Sequence, residues 1–144
     1  MARRTIDQLL AQARQRIAPR REPLEALQAV RNGALIIDIR STDERRHHGV
    51  IPGALHIPRS VLEWRADPDS GWTNPHLGNL NQELILLCAE GSSSSLAAAT
   101  LHELGYTHAT DLVGGFSAWR ASGLPTHPAP RTEPGRPGMG NPDP

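Results

Sequence analysis

The residue with the most chemistry in this chain is its single cysteine. Cys88 follows the apolar run Leu84-Ile85-Leu86-Leu87 and precedes Ala89-Glu90-Gly91-Ser92-Ser93-Ser94-Ser95. A helical stretch, Leu96 to Leu104, comes next and ends at Gly105. Strand, nucleophile, short polar loop and helix make a site. In parallel α/β sheets, ligands bind beyond the carboxyl ends of the strands. The first N–H groups of a helix have no intrahelical partner, and the helix dipole is positive at that end, so both favour an anion. A thiolate and a persulfide are anions. The expected result is a lowered thiol pKa and a better nucleophile at neutral pH. Gly91 lets the loop curl so that its N–H groups converge. Ser92, Ser93, Ser94 and Ser95 add small hydroxyls without filling the space.

Each reading has a plainer rival. A free cysteine is commonly an inert buried thiol; the strand-end position and the Cys-x-x-Gly-Ser-Ser-Ser context weigh against that. For the serines the rival is ordinary helix capping, more so for Ser94 and Ser95 than for Ser92 and Ser93. Asp38 and Arg40 close another strand, where they either orient the loop or bind substrate, or else form a structural ion pair. His47, His48 and His56 lack the spacing of metal ligands and are assigned to surface or packing. Trp64 and Trp119 are expected in the core or in a pocket wall.

The elements that must position these residues follow from pattern. Thr5 to Ile17 reads as an amphipathic surface helix with Ile6, Leu9, Leu10, Ala13 and Ile17 on one face. Glu22 to Asn32 reads as a second helix, opened by Pro23 and ended by Gly33, with Leu24, Leu27 and Val30 facing inward. Leu35–Ile39, Leu55–Ile57, Glu83–Cys88 and Ala109–Val113 are short apolar runs that suit strands of a buried parallel sheet. Short helices are expected over Thr42 to His48, Val61 to Arg65 and Phe116 to Ala121. Alternating strands and helices imply crossovers and an α/β fold with a mostly parallel sheet. Residues 1–21 form a helical extension, 22–125 the domain proper, and 126–144, rich in Pro and Gly, a tail too poor in apolar residues to fold.

Bulk properties narrow the function. The 144 residues fit one core, and 15 basic and 15 acidic residues give a net charge of zero, every basic residue being Arg. That balance offers no electrostatic footprint for nucleic acid. One cysteine excludes an internal disulfide and a multi-thiolate zinc site. A lone thiol with no apolar leader, and no run near the roughly 20 residues of a membrane span, suggests a cytoplasmic protein that avoids membranes.

Three segments resemble the rhodanese family. The first is Ile36-Ile37-Asp38-Ile39-Arg40 with Gly49-Val50-Ile51-Pro52-Gly53-Ala54-Leu55-His56-Ile57-Pro58, in which Val50 replaces the usual histidine. The second is Leu87 to Ala98, which looks like the active-site loop. The third is Leu112-Val113-Gly114-Gly115-Phe116-Ser117-Ala118-Trp119 through Gly123-Leu124-Pro125. Together they cover most of residues 22–125. The resemblance implies a three-layer fold with a roughly five-stranded parallel sheet flanked by helices. It implies a six-residue loop, Cys88 to Ser93, whose amides surround the sulfur. It implies that Cys88 takes sulfane sulfur from a donor, thiosulfate or a persulfide, and passes it as a Cys88 persulfide to cyanide, a thiol or a protein, in two half-reactions without metal or organic cofactor.

One departure matters. Many family members carry Arg or Lys in the loop; here Ala89, Ser92 and Ser93 stand there, and Glu90 adds negative charge. A dianion such as thiosulfate is then expected to be a poor donor. Two other readings compete. A cysteine phosphatase or arsenate reductase needs a fixed cation on the transferring group, where this chain has Ser94. A non-catalytic binding module on the same scaffold is the other, because fold does not fix function.

Overall fold

The computed structural model describes residues 2–130. Four strands, β1 (Leu35–Asp38), β2 (Leu55–His56), β3 (Leu84–Leu87) and β4 (Ala109–Asp111), make one sheet in the order β2-β1-β3-β4, all pairs parallel. Parallel neighbours need crossovers. These run through α3 (Thr42–His48), α4 (Leu62–Ala66, after a 3-10 turn over Arg59–Val61) and α5 (Ser93–Glu103). Helices α1 (Ile6–Arg16), α2 (Pro23–Arg31) and α6 (Gly115–Ala121) complete the layers. Thr5 and Ser41 start α1 and α3 with reciprocal capping boxes, closed by Gln8 and Glu44.

The period-2 alternation of the strands splits the core in two. Ile37, Leu84, Leu86 and Cys88 point to the face covered by Leu62, Ala66, Ala97, Ala98 and Leu101. Ile36, Ile85 and Leu87 point to the opposite face, against Ala26, Phe116 and Trp119. Cys88 thus continues the Leu84–Leu86 row one step beyond β3, which brings its side chain under the first turn of α5.

Several expectations need correction. The sheet has four strands, not five. The place of a fifth, beside β4, is held by one parallel bridge between Arg21 and Leu112. Pro19 and Pro23 flank that residue and carry no N–H, so the pairing stops there. In α2, Leu27 packs against the core as expected, beside the buried Pro23 and Ala26, whereas Leu24 is 62% and Val30 37% exposed. In α1, Ala13 is buried and Ile6 and Leu9 are exposed; Ile17, just past the helix, is in the core. Helix α5 begins at Ser93, so the serines belong to its first turn. Trp119 is buried and donates from Nε1 to the Pro125 carbonyl, but Trp64 is exposed and in no core. The backbones of His127 and Val50 exchange both hydrogen bonds, tying down the start of the segment read as a tail. Residues 131–144 of that segment lie outside the described residues.

Candidate active site

The loop after β3 is shaped by where its carbonyls go. The N–H of Phe116 donates to the Cys88 carbonyl at 2.9 Å and that of Ser117 to the Ala89 carbonyl at 3.1 Å. The Gly91 carbonyl accepts from Arg14 Nη2 at 2.9 Å and Arg20 Nη2 at 3.0 Å. With these oxygens turned outward and paired, N–H groups are left facing inward. The Gly91 N–H donates to Cys88 Sγ at 3.1 Å and the Ser94 N–H at 3.4 Å. Two glycines make the close packing possible. Gly91 (φ +88°) would place a Cβ 2.7 Å from the Gly114 nitrogen, and Gly115 (φ +61°) would drive one into the Cys88 carbonyl.

Cys88 is only 6% exposed, but it is not sealed off. It lies at the floor of an open depression of about 320 Å³ lined by Ile39, Arg40, Glu44, Ala89, Glu90, Ser92 and Ser93. Burial pushes the thiol pKa up. Hydrogen bonds from the Ser94 and Ser93 hydroxyls and from the Ser94 and Gly91 N–H groups more than offset this, leaving Cys88 below its ordinary value. A larger groove of about 860 Å³, between α2 and residues 79–83, lies at the amino ends of the strands, away from the sulfur.

The structure thus brings Cys88, Ala89, Glu90, Gly91, Ser92, Ser93 and Ser94 into one turn around Sγ and sets Arg40 in the same wall. Asp38 stands behind that wall. It is fully buried and accepts from Arg40 Nε (3.1 Å) and Nη2 (2.9 Å) and from Arg45 Nε (3.2 Å). Arg40 also donates to the Gly49 carbonyl and stacks on the Phe116 ring at 4.0 Å. His56 joins the cluster, accepting from Arg45 at Nδ1 and donating from Nε2 to the Arg40 carbonyl. Arg40 and Arg45 are therefore internal. Glu90 is exposed and accepts from the Ser117 hydroxyl at 3.0 Å. Glu44 is half-buried, its carboxylate accepting from Ser41.

Sequence reasoning missed a second cluster on the other side of the loop. Asp111, fully buried at the end of β4, accepts from Arg20 Nε at 2.7 Å and from the Ser94 and Ser95 hydroxyls at 2.7 Å each. Arg14 Nε donates to the Ser95 hydroxyl at 3.2 Å. A carboxylate inside an otherwise apolar strand was the available signal, since it must find buried donors. Among the described residues, no group of three or more His, Cys, Asp or Glu side chains is placed to hold a metal ion, and no helix is long and apolar enough to cross a membrane.

A sulfur cradled by backbone N–H groups at the carboxyl edge of a parallel sheet defines a class of α/β proteins built around a cysteine-centred loop. Within that class the chain belongs to the rhodanese-like domain family, whose model matches residues 22–122, and it is a sulfurtransferase of that type. It is 35% identical over 108 residues to a thiosulfate sulfurtransferase, GlpE, of Pseudomonas paraeruginosa, covering 74% of this chain and 84% of the relative. It is 34% identical to thiosulfate sulfurtransferase 16, chloroplastic, of Arabidopsis thaliana, over 65% of this chain and 80% of that one. Among solved structures, human single-domain sulfurtransferase TSTD1 superposes with a TM-score of 0.61 at 31% identity, over 72% of this chain and 96% of that one. A Rhodopseudomonas palustris protein of unknown function, a possible tyrosine phosphatase, superposes with a TM-score of 0.79 at 31% identity, over 88% and 97%.

Proposed function

We propose that the protein moves sulfane sulfur through a persulfide on Cys88, from a small donor to an external thiol, cyanide or protein acceptor. The observation that carries this is Sγ at the floor of an open depression, within reach of the Gly91 and Ser94 N–H groups. In the first half-reaction the Cys88 thiolate attacks the outer sulfur of the donor. An S–S bond forms to Cys88, the donor's own bond to that sulfur breaks, and its electron pair leaves with the remainder (sulfite, if thiosulfate is the donor). In the second, the acceptor attacks the outer sulfur and the pair of the S–S bond returns to Sγ as thiolate. The chain has no second cysteine to resolve the persulfide, so the acceptor comes from outside. Stabilisation of the negative sulfur by the Gly91 and Ser94 N–H groups is the cradle's contribution to both steps.

The wall of the depression argues for a donor less charged than thiosulfate. Glu44 and Glu90 line it, and its single arginine, Arg40, is buried, with Nε and Nη2 bound to Asp38 and the Gly49 carbonyl and Nη1 without a partner. No exposed cation is among the lining residues, which disfavours phosphoryl transfer. Ser94, six residues after Cys88, turns its hydroxyl to Asp111 and Sγ. The test is intact mass after incubation with thiosulfate, an organic persulfide and a polysulfide. One added sulfur is expected on the native protein, absent from Cys88→Ser and removed by dithiothreitol. Uptake that survives in Cys88→Ser, or none from any donor, rejects the reading.

A further inference from the structure

The segment ahead of the matched family region makes direct contact with the sulfur loop. Arg14, in α1, and Arg20 both donate to the Gly91 carbonyl, and Gly91 is the residue whose N–H reaches Sγ. The Ser94 hydroxyl lies between two acceptors, 3.2 Å from Sγ and 2.7 Å from Asp111 Oδ2. It has one proton. With that proton on Asp111, its oxygen faces Sγ and suits a protonated thiol or an uncharged sulfur. With that proton on Sγ, it suits a thiolate.

Asp111 tolerates the loss. Its Oδ2 keeps Arg20 Nη2 at 3.2 Å and the Ser95 hydroxyl at 2.7 Å. Ser95 is held to that role from behind. Arg14 Nε donates to its oxygen, and the other acceptor within reach, the Gly91 carbonyl at 3.3 Å, is already occupied by two guanidinium groups. We propose that Ser94 is a catalytic residue that swings its hydroxyl from Asp111 to Sγ as charge develops there, and that Arg14, Arg20, Ser95 and Asp111 are the positioning residues that make the swing cheap. The N-terminal helix then belongs to the active site. In persulfide discharge the S–S pair arrives on Sγ as the acceptor takes the outer sulfur, and the Ser94 proton meets it. No proton leaves Ser94, and the hydroxyl turns back when Sγ is again bonded to sulfur.

This rests on Cys88 as the sulfur carrier, so the test includes a measurement that needs no sulfur transfer. The charged groups around the sulfur are Arg14, Arg20, Arg40, Glu44, Glu90 and Asp111, and the variants change one at a time. The reduced protein is alkylated with iodoacetamide across pH, and discharge of the loaded persulfide to cyanide is followed separately. Ser94→Ala is expected to raise the alkylation midpoint and slow discharge about tenfold, the size of a lost hydrogen bond to a charged group. Ser94→Thr, which keeps the hydroxyl, restores both. Asp111→Asn lowers the midpoint by releasing the hydroxyl to the thiolate. Arg14→Met, at a half-buried position where misfolding is not expected, raises the midpoint, and Arg14→Lys recovers part of the change. Midpoints and discharge rates that stay put in Ser94→Ala and Arg14→Met overturn the inference, whatever happens to the melting temperature. Midpoints that move as stated in a protein that never accepts sulfur uphold the swing and reject the sulfur-transfer reading instead.

Discussion

Asp38 and Asp111 end the two strands that flank β3, one on each side of the cysteine strand. Both carboxylates are fully buried, and both are held by arginine. Their neighbourhoods nevertheless do different work. The Asp38 partners Arg40, Arg45 and His56 bond to one another and to backbone carbonyls, while Sγ is met by Gly91 and Ser94. From this side the wall of the depression receives Arg40 and Glu44. The Asp111 side sends no charged group to that wall, but through Ser94 it touches the sulfur. On the proposal above, one side shapes what approaches the cysteine and the other governs the charge that the cysteine carries.

Breaking the Asp38 side has the largest expected effect, and it is on folding. Asp38→Ala takes the shared carboxylate away from two nearly inaccessible guanidinium groups, Arg40 and Arg45. Removing one partner of a buried pair costs about 3–5 kcal/mol, against a total stability of roughly 5–15 kcal/mol for a domain. Chemical denaturation should show that loss, while the alkylation midpoint of whatever remains folded stays near the native one. A large midpoint shift in folded Asp38→Ala would erase the distinction between the two sides.

The matching change on the other side is Arg20→Met. Asp111 keeps two hydroxyl donors, and Arg20 is already partly exposed, so the expected stability cost is smaller, about 2 kcal/mol, typical of hydrogen bonds to a charged group. The chemistry moves instead. Asp111 loses its neutralising cation, competes harder for the Ser94 proton and places uncompensated negative charge near Sγ. The alkylation midpoint should rise, since both effects penalise the thiolate. A midpoint that falls or stays fixed in Arg20→Met breaks the comparison from this side.

The contrast also explains what the chain made legible. Four apolar runs and the helices between them are local patterns, so the α/β sheet could be read directly, as could Asp38 and Arg40, which lie two residues apart. The loop from Cys88 to Ser94 is contiguous, and its chemistry follows from a helix N-terminus beside a nucleophile. Arg20 and Asp111 are separated by 91 positions and Arg14 and Gly91 by 77. Nothing in an amphipathic surface helix such as α1 announces that one of its arginines reaches a loop carbonyl that far along. The fifth strand failed for a different reason: the fold's general pattern suggested it, but Pro19 and Pro23 leave Arg21 a single bridge. In α2, Leu27 faces the core as read, but Leu24 and Val30 do not, because Pro23 and Ala26 take the buried positions beside it.

The smallest effect sharpens the comparison most, because it separates the approach of substrate from the state of the sulfur. Glu44 and Glu90 face the depression, and Glu44→Gln keeps the capping box that starts α3, since Gln serves at that position as well as Glu. The paired change Glu44→Gln/Glu90→Gln removes two negative charges from the path of a dianion and leaves Asp111, Arg20 and Arg14 untouched. Partly solvated charges of this kind are worth about 0.3–0.7 kcal/mol each, so the KM for thiosulfate should fall roughly threefold to tenfold, with little change in kcat. An uncharged or singly charged persulfide donor should gain much less. High salt should erase most of the difference, because at 1 M the Debye length is about 3 Å. If KM for thiosulfate is unchanged, or if the gain persists at 1 M salt, the acidic wall is not what selects the donor, and selectivity must then come from the shape of the space between Arg40 and the Ser92–Ser93 turn.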